Sequence, residues 1–108
     1  MNKFEAVIIL SPELSSQNLK NEINGFKEYI SSNSGKIINE EDWGLRDLSY
    51  NINKFKKAFY NFFQIEIDGN NLGGIKKDLN QSENVLRHIF IKVKNHQELP
   101  TKLANEKK

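Results

Sequence analysis

Ala58-Phe59-Tyr60-Asn61-Phe62-Phe63-Gln64-Ile65-Glu66-Ile67 is the stretch that decides the fold. Successive side chains of a strand point to opposite faces. Phe59, Phe63, Ile65 and Ile67 share one parity, with Asn61 as the exception. Tyr60, Phe62, Gln64 and Glu66 share the other. The alternation predicts a strand with one face in a core and a second face that carries aromatic and polar groups.

Upstream, Lys54-Phe55-Lys56-Lys57 reads as a basic turn, preceded by a second β region from about Lys36 to Ile52. That region is expected to be interrupted near Glu40-Glu41-Asp42. Leu19, Ile23, Phe26 and Ile30 recur at spacings of four, three and four, which is one face of an amphipathic helix. Ser15 or Ser16 can cap it. Gly25 inside it suggests a close packing contact, because glycine there costs ~1 kcal/mol relative to alanine. Gly35 is placed to stop the helix in the left-handed conformation. Ahead of Ser11-Pro12, the run Lys3 to Leu10 reads as a strand with Phe4, Ala6, Ile8 and Leu10 toward a core and Val7 and Ile9 away from it.

Downstream, Asp68-Gly69-Asn70 is a turn and cap. A short helix follows with Leu72, Ile75 and Leu79 on one face, weakened by Gly73-Gly74. The last strand, Val85 to Val93 or Lys94, sets Arg87, Ile89, Ile91 and Val93 on one parity and His88, Phe90 and Lys92 on the other. From Asn95 the chain is polar, so residues 1–94 are expected to fold and 95–108 to form a disordered tail.

The order strand, helix, strand, strand, helix, strand is the split β-α-β pattern of the α+β, ferredoxin-like fold. Two helices cover one face of a four-stranded antiparallel sheet. The other face must meet solvent or a partner. Tyr60, Phe62 and Phe90, with Val7, Ile9 and Lys92, are the residues expected there. Burying a large apolar side chain stabilises by ~1.5–3 kcal/mol, so such a face suits a docking partner. Ile and Val among the aromatics favour a protein partner over stacked bases, and the RNP-type motif of base-stacking sheets is missing.

Composition narrows the function classes. The chain has 108 residues and no cysteine, which excludes a thiolate nucleophile, cysteine-ligated metal and disulfides. No run approaches the ~20 apolar residues of a membrane helix. The N-terminal apolar run is interrupted by Glu5 and ended by Ser11-Pro12, unlike a signal peptide, so a cytoplasmic protein is expected. Net charge is +2, and of sixteen basic residues only Arg46 and Arg87 are arginines. A forked, planar donor is needed where phosphate or carboxylate is gripped. Phosphate loops of the Walker and dinucleotide types are absent. His88 and His96 have no partner set for a metal, and neighbouring carboxylates at 40–42 point to opposite faces. No catalytic residue, metal or cofactor is expected.

Trp43-Gly44-Leu45-Arg46-Asp47-Leu48-Ser49-Tyr50-Asn51-Ile52-Asn53 resembles the signature of the bacterial small-subunit ribosomal protein number six family. That signature runs Gly, any residue, a basic residue, a polar one, Leu, Ser or Ala, Tyr, any residue, Ile, then a small or polar residue. The resemblance extends from Met1 to about Lys94, through Lys3-Phe4-Glu5, Leu10-Ser11-Pro12-Glu13-Leu14 and Asn84-Val85-Leu86-Arg87. Ala58, where the family usually has Gly, and Gly73-Gly74 depart from it. The resemblance implies a non-enzymatic ribosomal protein. It implies binding to the central domain of small-subunit ribosomal RNA as a heterodimer with ribosomal protein number eighteen. Matched by position, Arg46, Lys54 and Arg87 are the implied RNA contacts, with Lys3, Lys56 and Lys92 as further candidates. Tyr60, Phe62 and Phe90 are the candidate protein contacts, on the open-face argument.

Two other readings share the topology. A small-molecule sensor or regulatory domain would need a pocket of convergent polar groups. An acylphosphatase-like enzyme would need a phosphate-cradling loop with a nearby Arg after the first strand. Ser11-Pro12-Glu13-Leu14 carries an acidic residue and no Arg.

Overall fold

A computed structural model describes residues 2–52 and 54–95. The elements are β1 (Asn2–Leu10), α1 (Ser16–Ser32), β2 (Lys36–Ile52), β3 (Phe55–Ile67), a 3₁₀ turn (Gly69–Asn71), α2 (Leu72–Gln81) and β4 (Val85–Val93). The strands form one antiparallel sheet in the order β2-β3-β1-β4. This is the α+β, ferredoxin-like arrangement expected from the sequence. The tail expected from Asn95 lies, beyond that residue, outside the described residues, as do Asn53 and His96.

Both helices pack on one face. Phe4, Ala6, Ile8 and Leu10 of β1 meet Phe63, Ile65 and Ile67 of β3, Phe26 and Ile30 of α1, and Leu72, Ile75 and Leu79 of α2. The Phe26 and Phe63 rings lie 4.7 Å apart. Ser15 caps α1 by accepting from the Asn18 amide. The helix ends with Ser34, not Gly35, in the left-handed conformation (φ 63°). Gly35 N–H donates to the Ile30 carbonyl at 2.8 Å and Ser34 N–H to Ser31 at 3.2 Å, the paired bonds of a Schellman stop. Gly35 is required by space: a Cβ there would sit 2.8 Å from Ile30 Cγ2 and 2.9 Å from its carbonyl oxygen.

The helix glycines exchange their expected roles. Gly25 has nothing within 4 Å of a Cβ position, so no close contact explains it. Gly74 in α2 has the Tyr29 hydroxyl of α1 where its Cβ would be, so the helices approach there. Ala58, expected at the start of the strand, is fully buried inside β3 opposite Arg46. The turn between β2 and β3 is correspondingly tighter than the basic run suggested: Ile52 pairs with Phe55, and Lys54 has φ 72°.

β2 is long but irregular. Its register against β3 shifts between Ile37 and Asn39, between Asp42 and Gly44, and between Asp47 and Ile52. The second shift inserts Trp43 and depends on Gly44, whose φ is +74° and whose N–H donates to the Asp42 carboxylate at 2.8 Å. The third leaves Leu48 to Asn51 without register partners, four residues opposite one on β3. Bulges of this kind bend a strand and re-aim its side chains.

Candidate nucleic-acid and partner interface

The uncovered face follows from the register. Val7 pairs with Phe62 on one side and Ile89 on the other; Ile9 pairs with Tyr60 and Arg87. These residues therefore share a face, opposite the helices. Toward the other end of the same face, Glu5 lies between Gln64 and Ile91, and Lys3 between Glu66 and Val93. The face divides into two parts. The Lys3 end is crossed by a hydrogen-bonded ladder in which Gln64 Nε2 donates to Glu5 and Asn39 Nδ2 donates to Gln64 Oε1. The Ile9 end is apolar.

The apolar end is shaped by β2. Trp43, released by its bulge, lies over Phe62 with ring centroids 5.5 Å apart and planes 9° apart, and stacks beside Tyr60 at 6.3 Å. Its indole N–H donates to Glu41. The out-of-register segment Leu48 to Asn51 carries Tyr50 to β4, where Tyr50 hydroxyl accepts from Arg87 Nη1. Between them lies a groove of about 290 Å³, floored by Val7, Ile9, Tyr60 and Ile89 and walled by Trp43, Arg46, Tyr50 and Arg87. Arg46 is over the Trp43 ring and donates from Nε to the Trp43 carbonyl at 3.1 Å. Arg87 is over the Tyr50 ring.

The site residues expected from sequence fall into three groups. Tyr60 and Phe62 lie on the uncovered face, although Phe62, only 3% exposed, is roofed by Trp43 and offers no surface of its own. Phe90 does not belong there. Its partner across the ladder is Ala6, a core residue, so it faces the helices and packs against Phe26 at 6.3 Å. Lys92, opposite Phe4, shares that helix-side parity. The alternation in β4 was right and its assignment to faces inverted. Ile89 and Ile91, 44% and 56% exposed, occupy the uncovered face instead. Antiparallel pairing with β1 dictates this, since one register fixes every side chain of the strand.

Among the basic candidates, Arg46 and Arg87 come together at the groove. Lys54 and Lys56 are exposed on the β2–β3 hairpin that projects beyond it. Lys3 sits six positions along β1 from Ile9, about 20 Å away at the rise of a strand. The sequence reading missed Trp43, Tyr50, Ile89 and Ile91 as surface-forming residues. Exposed isoleucines in a strand of alternating pattern were the available signal.

Near the helix face, His88 is within reach of Asn80 Oδ1 at 2.9 Å and meets the Phe90 ring edge-on. Burial, and secondarily the charge of Lys76, lowers its pKa from the ordinary histidine value. Among the described residues no three His, Asp or Glu side chains gather as metal ligands, and no helix is long and apolar enough to cross a membrane.

Comparison with known proteins follows the same outline. Residues 3–92 match the family model described as ribosomal protein S6. Small ribosomal subunit protein bS6 of Flavobacterium psychrophilum is 32% identical over 96 residues, covering 89% of this chain and 85% of that protein. The bS6 protein of Azobacteroides pseudotrichonymphae is 38% identical over 89 residues, 82% of this chain and 80% of that one. The crystal structure of 30S ribosomal protein S6 from Thermotoga maritima superposes with a TM-score of 0.82 at 24% identity, covering 85% of this chain and 87% of that one.

Proposed function

The chain belongs to the ribosomal protein S6 family, small-subunit ribosomal proteins without enzymatic activity, and from that premise we propose that it binds the central domain of small-subunit ribosomal RNA together with ribosomal protein number eighteen. One observation carries the reading: the uncovered sheet face holds an apolar groove with an arginine on each of two walls. Val7, Tyr60 and Ile89, which keep surface on that face, suit an apolar protein segment that would remove them from water. Arg46 and Arg87 suit phosphate oxygens, whose contacts to arginine are forked and charge-assisted. Lys54 and Lys56 extend positive charge along the hairpin. The two kinds of contact adjoin, so a protein partner seated in the groove and an RNA held at its rim would support each other.

RNA binding by the chain, with and without protein eighteen, tests this. The partner should tighten binding to a central-domain RNA fragment about tenfold or more, within the usual range of coupling between sites. Ile89→Asp should remove that enhancement while leaving the melting temperature near that of the unsubstituted chain, because Ile89 is exposed. Phe90→Ala should instead lower stability by about 1–3 kcal/mol, because Phe90 is partly buried against the core. A partner that leaves RNA affinity unchanged would refute the joint-binding reading.

A further inference from the structure

Both arginines of the chain lie within cation–π range of aromatic rings at the walls of one groove, each Cζ 5.4 Å from its ring centroid. Arg46 uses the neighbouring Trp43 in the same strand. Arg87 uses Tyr50, thirty-seven residues distant in sequence, which reaches it only because residues 48–51 leave the β2–β3 register. An exposed arginine on a strand ordinarily samples many rotamers and loses that freedom when it binds. Here the Tyr50 ring lies within cation–π range of the guanidinium, and its hydroxyl accepts from a single N–H, Nη1. The contact thus engages one of the five N–H donors of an arginine and leaves its charge in place. Tyr50 is itself 60% exposed, so its burial in a core does not account for it.

We propose that Tyr50 is a positioning residue for Arg87, holding the guanidinium as a preset planar fork for a phosphate of the bound RNA. The inference rests on the reading of Arg87 as an RNA contact. Preorganising one long side chain is worth about two- to tenfold in affinity. The Tyr50 contribution should therefore appear only while Arg87 is present, and should reside in ring contact and hydroxyl together.

The test is binding of a central-domain RNA fragment to the chain without its protein partner, across a salt series and at low ionic strength. Arg87→Ala should weaken binding and reduce the salt slope by about one phosphate contact, ~0.7–0.9. Tyr50→Leu should weaken binding about two- to tenfold with the slope unchanged, because the charge remains. Tyr50→Phe, which keeps the ring, should restore part of the loss. In the Arg87→Ala background, Tyr50→Leu should have no further effect. An equal loss from Tyr50→Leu with and without Arg87 would mean a structural or direct role and would overturn the proposal. So would full affinity in Tyr50→Leu where Arg87→Ala is impaired. Full affinity in Arg87→Ala would instead remove the RNA reading of Arg87, and the positioning role with it.

Discussion

Trp43 lies flat on Phe62, 9° from parallel with centroids 5.5 Å apart, although the two side chains come from neighbouring strands whose register is broken between them. The bulge at Asp42–Gly44 makes this possible, by adding a residue whose side chain folds back over the sheet. Trp43→Ala should therefore uncover Phe62 and remove an aromatic pair worth about 0.5–1.5 kcal/mol beyond its buried area. Urea unfolding followed by circular dichroism should show a loss of about 2–3 kcal/mol. As the chain's single tryptophan, Trp43 also reports on the groove: partner docking should shift its emission, and the shift should vanish in Ile89→Asp.

The glycines of the two helices predict opposite outcomes. Gly25→Ala should stabilise by about 0.5–1 kcal/mol, since helix propensity favours alanine and a Cβ there meets nothing. Gly74→Ala should destabilise by about 1 kcal/mol, because the Tyr29 hydroxyl must move aside. In a Tyr29→Phe background the same Gly74→Ala change should become stabilising: the nearest remaining ring atom, Cζ, is 3.5 Å from the Cβ position, an ordinary contact. Thermal unfolding of the four variants decides this.

His88 makes stability depend on pH. Its folded-state pKa lies below the ordinary value of 6.5, chiefly through burial and then through Lys76. The unfolded chain therefore binds a proton at a higher pH than the folded one. Stability is complete above about 6.5 and falls as pH drops from there through the lower folded-state value. His88→Gln should flatten the urea midpoint over that window, and Lys76→Gln should reduce its slope by less.

Much of this architecture could be read from the chain itself, and the errors have physical causes. β1 and β3 each carry large apolar groups concentrated on one parity, Phe4, Ala6, Ile8 and Leu10 against Phe63, Ile65 and Ile67, so their core faces were legible. β4 offers Ile89, Ile91 and Val93 on one parity and Phe90 on the other. Both parities are apolar, and only pairing with Ala6 selects Phe90 for the core. Gly25 and Gly74 differ in what stands across from them, which periodicity does not encode. The second β region was expected to be interrupted near Glu40-Glu41-Asp42, and a register shift does fall beside it, between Asp42 and Gly44; the slip at Leu48 to Asn51 was not foreseen, because a register slip leaves no mark on composition. Arg46 and Arg87 were legible as unusual residues in a lysine-rich chain, while the rings beneath them required the bulges to be known.

The stretch from Leu48 to Asn51 has a mechanical consequence. With no ladder partners opposite, these four residues can be displaced without unzipping β1, β3 or β4. The groove wall that carries Tyr50 thus belongs to a stretch of β2 without register partners on β3, tied instead to β4 through Arg87. Opposite it, Val7 is paired on both sides, with Phe62 of β3 and Ile89 of β4, so the groove sets an irregular wall against a regular floor.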